Sequence, residues 1–174
     1  KFKYELNVDK IGLSEMNNWI YDGNVIEHKD KKYFSVIGVD VSIGNREVTH
    51  WDRPMVKAAQ EGIMGFLVKK INGIYHFLVQ AKLECGNFDI VELAPTVQCL
   101  TGNYRNGQNE YSIPYIDNFL NADIKDIWYQ AYQSEEGGRF FKEQNLNIIV
   151  EVHDDFSVEV EENYCWMTLN QMLC

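Results

Sequence analysis

IMGFLVKKINGIYHFLVQAKLE, residues 63–84, decides the fold, because two β-rich runs flank Asn72-Gly73. Asn-Gly between such runs favours the left-handed backbone of a two-residue hairpin turn. Strands are therefore predicted over 63–70 and 74–84. In the second, Tyr75, Phe77, Val79, Ala81 and Leu83 alternate with His76, Leu78, Gln80, Lys82 and Glu84. A strand sends successive side chains to opposite faces, so Gln80, Lys82 and Glu84 share one. Three polar residues in a row on one face either meet solvent or line a cleft.

Working outward, residues 33–43 are β-branched and aromatic, and further strands are predicted over 127–135, 146–152 and 156–161. His153-Asp154-Asp155 supplies a turn between the last two. Leu13, Met16, Trp19 and Ile20 fall at helical spacing behind Ser14, which predicts a short amphipathic helix over 13–20. A second short helix is predicted over 114–122, and a final one through Leu169, Met172 and Leu173 with Thr168 as its cap. The class is α+β, a mixed or antiparallel sheet with a few short helices. Since no linker, low-complexity tract or repeat divides the sequence, one domain over 1–174 is predicted.

The chain has 45% hydrophobic and 24% charged residues, the balance of a globular domain able to build a substantial core. No apolar run reaches the roughly 18 residues of a membrane span, and the first five residues lack the apolar region of a secretory signal. A cytoplasmic protein with no membrane association is expected. Cys85, Cys99, Cys165 and Cys174 include no CxxC pair, which leaves reduced thiols as the simplest reading. A formal charge of −10 disfavours nucleic acid as a partner. An anionic small molecule meets the same repulsion, so local cations must receive it. Arg46, Lys82, Arg105 and Arg139 are the candidates.

The chain contains no phosphate-binding P-loop, dinucleotide fingerprint, nucleophile elbow or H-E-x-x-H. His28, His50, His76 and His153 are scattered, and His153-Asp154-Asp155 lacks further ligands nearby, so no metal is assigned. Three segments do mix amides, charges and aromatics: REVTHWDRP (46–54), residues 80–104, and QSEEGGRFF (133–141). The second carries Gln80, Asn87, Thr96, Gln98, Asn103 and Tyr104, groups suited to sugar hydroxyls and a base edge. A polar β-loop-β surface explains the same spacing. In the third, Gln133 and Glu135 share a strand face ahead of Gly137-Gly138, a pair that a simple turn also explains. Arg139 suits either a diphosphate or a surface pair with Glu135 or Glu136. Trp51 suits a nucleobase or the core.

These segments, in this order, resemble the NDP-hexose 2,3-dehydratase family of deoxysugar biosynthesis. The resemblance rests on REVTHWDRP, on QAKLECGN with LAPTVQ and NY, on QSEEGGRFF with QN and NIIVEV, and on CWMTLNQML near the C-terminus. It runs from about Arg46 onward. Cys85 stands where the family usually has proline, Glu92 where an amide is common, and Leu100 to Gly102 and Leu146 where arginine is frequent. Family members carry two tandem modules of Nudix-hydrolase-like fold, and this chain resembles one of them. The resemblance therefore implies a homodimer that reproduces the pairing. It does not imply Nudix hydrolysis, because the Glu-rich metal-binding box is missing.

The activity implied is a carbon-oxygen lyase reaction on a nucleoside-diphosphate 4-keto-6-deoxyhexose such as dTDP-4-keto-6-deoxyglucose. The C4 ketone acidifies the C3 hydrogen; a base removes it and an acid assists loss of the C2 hydroxyl. The enol product tautomerises to an unstable 3,4-diketo sugar, which implies a downstream 3-ketoreductase as partner. Neither cofactor nor metal is expected. By residue type Glu135 is assigned as base, Lys82 as stabiliser of the enolate oxygen and Tyr104 as acid. Arg46 and Arg139 are placed on the diphosphate, Trp51 near the nucleobase or ribose, and Gln80, Asn87, Thr96, Gln98, Asn103, Gln133 and Ser134 around the sugar nucleotide. Two other readings remain open: a silent sugar-nucleotide-binding module, and an epimerase or isomerase of the same keto sugar.

Overall fold

The structure, a computed structural model, describes residues 4–100 and 112–174. These form two compact units, a larger one of residues 4–9, 62–100, 112–132 and 146–174, and a smaller one of Lys10–Glu61 and Gln133–Asn145. Two of the four boundaries, after Tyr132 and after Asn145, fall inside strands. That is why no linker composition marks them.

The smaller unit is built on a four-stranded antiparallel sheet in chain order: β1 (Trp19–Tyr21), β2 (Ile26–His28), β3 (Phe34–Ser42) and β4 (His50–Ala58). Its first turn is set by Asp22, whose Oδ1 accepts the N–H groups of Asn24 and Val25 while Gly23 takes a φ of +94°. The helix expected over 13–20 does not form. A single 3-10 turn, Leu13–Glu15, is followed by Asn17-Asn18 and then by β1. Trp19 packs at 4.8 Å from Phe34 and edge-on at 5.8 Å from buried His28, contacts that a strand provides and that override weak helix propensity.

In the larger unit β5 (Gly62–Ile71) and β6 (Ile74–Leu83) form the expected hairpin, in register from Ile71 opposite Ile74 to Leu67 opposite Leu78. Asn72 and Gly73 take φ values of 50° and 82°, the left-handed pair that the turn demands. Beyond Leu67 and Leu78 the hairpin splays open, and β7 (Val91–Pro95) pairs with β6 while β8 (Val97–Leu100) pairs with β5. Thr96 sits at the apex of this fork. The sheet is completed in the order β11-β6-β5-β10-β9 by β9 (Ile127–Ser134), β10 (Gln144–Val152) and β11 (Tyr164–Met167).

The helix expected over 114–122 is the short α1 (Ile116–Leu120), and α2 (Leu169–Met172) begins as expected at Thr168. Thr168 and Gln171 cap each other reciprocally, at 3.3 Å and 2.8 Å. Residues 156–161 correct another expectation, since they form no strand. The free edge of β6 is taken by β11, and Phe156 packs against Trp166, whose Nε1 donates to the Val158 carbonyl at 3.1 Å. The period-two pattern was real, but the aromatics of β11 won the edge.

The core of this unit gathers Ile63, Leu67, Leu78, Val97, Phe119, Ile148, Val150 and Tyr164. Phe119 of α1 lies over Gly65 so closely that an added Cβ would overlap its ring. Gly65→Ala is therefore expected to destabilise the protein by about 1–3 kcal/mol through overpacking, read as a lower midpoint in urea at unchanged slope. An unchanged midpoint would show that Phe119 moves aside without penalty.

Candidate functional site

Leu78 belongs to the core cluster, and Gln80 and Lys82, at alternate positions after it, continue the same face of β6. They emerge where the hairpin has opened around β7 and β8. Gln80 Nε2 donates to the carbonyls of Pro95 at 3.0 Å and Thr96 at 3.4 Å. Lys82 Nζ meets Glu84 Oε1 at 2.8 Å and, on the other side, Gln98 Oε1 at 3.3 Å and the Gln98 carbonyl at 3.4 Å. The ammonium is held in one place yet its side chain remains 23% exposed. Of the residues predicted from sequence, the fork thus brings Gln80, Lys82, Thr96 and Gln98 together.

Thr96 is fully buried, and its hydroxyl accepts from the Leu67 N–H at 2.9 Å and donates to the Leu78 carbonyl. Those are the backbone groups left at the point where β5 and β6 separate. In this arrangement Thr96 closes the fork and presents no group outward, a correction to its expected place beside a sugar. Tyr164 adds to the same apex, donating to the Thr96 carbonyl at 3.3 Å. Burial, with the nearby charge of Glu161 and then Tyr115, pushes its phenol up to about 12. Burial likewise pushes the Cys99 thiol up to about 11, against the opposing pull of Lys82. Both groups therefore stay protonated near neutral pH.

Asn87 lies in the loop after β6, beside a recess of about 480 Å³ that Asn7, Asp9 and Cys85 also line. Asn103 and Tyr104, the assigned acid, lie outside the described residues, as does Arg105.

The remaining assignments belong to the smaller unit. Arg46 is exposed in the bend before β4, and Trp51 is half-buried on β4 opposite Val41. Arg139 pairs with Glu136 at 3.2 Å on the surface, one of the two arrangements left open above. Its carbonyl accepts from the Val56 N–H at 2.8 Å, and Phe141 N–H donates to the Val56 carbonyl at 2.7 Å, which fastens the turn to β4. Gln133 and Ser134 are exposed at the end of β9.

Glu135 is half-buried and has company that the sequence reading missed. Its N–H donates to the Glu143 carbonyl at 3.0 Å, and its Oε1 accepts from Asn145 Nδ2. Asn145 is buried. Burial, and next the charge of Glu135, raise the Glu143 carboxyl above the usual carboxylate range. A hairpin centred on Gly137-Gly138 gives the wrong partner for Glu135, which meets Glu143 and Asn145 instead. The real turn is longer.

Among the described residues no three His, Cys, Asp or Glu side chains converge as a metal site. His153 instead pairs with Asp126 at 3.0 Å, a hydrogen bond that raises its pKa. No helix among these residues is long and apolar enough to cross a membrane.

The family model described as NDP-hexose 2,3-dehydratase matches residues 1–173. The chain belongs to the NDP-hexose 2,3-dehydratase family. It is 41% identical over 172 residues to a dTDP-4-dehydro-6-deoxy-alpha-D-glucopyranose 2,3-dehydratase of Saccharopolyspora spinosa, covering 99% of this chain and 35% of that protein. The proteins of the same name from Streptomyces violaceoruber and Amycolatopsis orientalis are 42% and 38% identical, over 93% and 98% of this chain and 36% of each of theirs. The chain thus spans about a third of the length of the curated relatives it matches. Two solved hydrolases overlap weakly. A C. elegans Ap4A hydrolase does so over 66% of this chain and 83% of its own (TM-score 0.38, 11% identity), and an ADP compounds hydrolase over 87% and 79% (TM-score 0.41, 13% identity). Overlap of that size carries no argument about this member of the 2,3-dehydratase family.

Proposed function

We propose that this member of the family eliminates water across C2–C3 of a nucleoside-diphosphate 4-keto-6-deoxyhexose. The supporting observation is the family match over residues 1–173, at about 40% identity to three 2,3-dehydratases. In this reading Glu135 takes the C3 proton and Lys82 stabilises the enolate oxygen at C4. Tyr104 protonates the departing C2 hydroxyl. Arg46 and Arg139 meet the diphosphate and Trp51 the nucleobase or ribose, with Gln80, Asn87, Gln98, Asn103, Gln133 and Ser134 around the sugar nucleotide.

The resulting enol gains a proton at C2 and becomes the 3,4-diketo sugar. A 3-ketoreductase is its consumer. Incubation with dTDP-4-keto-6-deoxyglucose, a 3-ketoreductase and reduced nicotinamide is expected to give a 2-deoxy-4-keto sugar nucleotide by mass spectrometry. Unchanged substrate would reject the elimination, and epimerised substrate would assign an isomerase.

One observation favours a second reading, binding without turnover: Lys82 is already engaged by Glu84 and Gln98. Saturable binding of the same nucleotide with no product would select it. The elimination reading also includes self-association of the module. Sedimentation equilibrium at micromolar protein is expected to give a species of twice the 20.3 kDa chain mass, and a monomer alone would exclude it.

A further inference from the structure

The Lys82 side chain ends against three oxygen atoms. Its Nζ lies 2.8 Å from Glu84 Oε1, 3.3 Å from Gln98 Oε1 and 3.4 Å from the Gln98 carbonyl. An ammonium has three protons to donate, so these three acceptors engage all of them. A ketone oxygen that takes a proton from this ammonium therefore displaces one of the three. They are unequal: the carboxylate contact is short and charge-assisted, whereas both Gln98 contacts are longer and neutral.

Glu84 is the first residue after β6 and opens the loop to β7. Its backbone is fixed on both sides, with its N–H donating to the Ile90 carbonyl at 3.4 Å and its carbonyl accepting from the Asn87 N–H at 3.2 Å. The carboxylate thus starts from a closed loop. Glu84 and Asn87 line the same recess of about 480 Å³, so the ion pair stands at its margin. A second carboxylate offers a contrast. Glu92 of β7 is opposite Lys82 in the antiparallel register, yet it is exposed and forms no ion pair with Lys82 among the described residues.

We propose that Glu84 is a positioning residue for Lys82: its carboxylate anchors the ammonium at the fork, and the substrate oxygen displaces a Gln98 contact rather than the Glu84 one. The role rests on the reading of Lys82 as the stabiliser of the enolate oxygen at C4. Glu84 itself touches no reacting atom. It keeps a long flexible side chain from sampling its other rotamers, so that the charge is already in place when the enolate forms. A part-exposed ion pair adds little to folding stability, so the effect of Glu84 falls on turnover.

The test compares Glu84→Gln and Glu92→Gln with wild type. Glu84→Gln is expected to lower kcat by about 3–10-fold at unchanged KM and unchanged urea midpoint, a smaller loss than in Lys82→Met because the ammonium remains. Glu92→Gln removes the same charge across the strand pair and is expected to leave kcat as it was, which separates an anchor from a general field. On the Lys82→Met background Glu84→Gln should cost nothing more, since the side chain through which it acts is gone. Equal losses in Glu84→Gln and Glu92→Gln, a full further loss on the Lys82→Met background, or a kcat unchanged or raised in Glu84→Gln would each overturn the proposal.

Should wild type turn over no keto-sugar nucleotide, the elimination reading fails by itself. The Nζ resonances of the lysine-labelled chain then decide the anchor. Wild type and Glu92→Gln are expected to show Lys82 ammonium protons protected from exchange with water, and Glu84→Gln to lose that protection. A Lys82 signal indifferent to Glu84→Gln would reject the anchor.

Discussion

Glu135→Gln is expected to fold normally, bind the keto-sugar nucleotide and lose turnover by ~10²-fold or more, the usual contribution of a general base. Glutamine keeps the shape of the side chain and an oxygen for Asn145 Nδ2, so the contact seen at Oε1 can persist. What it lacks is a lone pair basic enough to take a proton from carbon. The loss should therefore fall on kcat, with KM little changed. Stopped assays with a reductase trap measure both. Full activity in this variant would remove Glu135 as the base and leave the family membership untouched.

Lys82→Met is expected to be of similar or larger size, ~10²–10³-fold in kcat, since it removes the cation assigned to the oxygen where charge develops. Methionine matches the aliphatic stem but not the ammonium. Glu84 loses a partner at 2.8 Å, yet its side chain is 50% exposed and water can replace that contact, so little stability should be lost. In the wild type Glu84 on one side and Gln98 on the other hold the ammonium, at 2.8 Å and 3.3 Å. A variant that keeps kcat but raises KM would instead put Lys82 on substrate binding alone.

How much of this was legible in the sequence depended on whether local pattern and tertiary contact agreed. Around Asn72-Gly73 they did, because the dipeptide fixes the turn and the turn fixes the register of β5 and β6. At 13–20 they did not, since Trp19 gains more against Phe34 and His28 than a helix turn offers. At 156–161 an honest alternation lost its sheet edge to β11. The splayed fork was invisible, because nothing in the spacing of β7 and β8 says that one continuous segment will pair with β6 and then with β5.

The candidate site shows the same division. Alternation placed Gln80, Lys82 and Glu84 on one face, and the fork explains why that face is neither plain core nor plain surface. Thr96 has the right chemistry for a sugar hydroxyl, but the orphaned backbone groups of Leu67 and Leu78 claim it first. Glu143 and Asn145 escaped because their relation to Glu135 depends on the length of the turn between them, a quantity that Gly137-Gly138 alone does not fix.

Solvent deuterium tests the account most directly. In deuterated water, elimination removes the C3 hydrogen and the C2 hydroxyl, and ketonisation of the enol then places one solvent deuteron at C2. The 3-ketoreductase adds its hydride at C3. The account predicts a 2-deoxy-4-keto sugar nucleotide carrying a single deuterium at C2, formed by wild type and strongly reduced in Glu135→Gln and Lys82→Met. Recovery of substrate with its C2 hydroxyl intact, whether unlabelled or exchanged at C3, would contradict it.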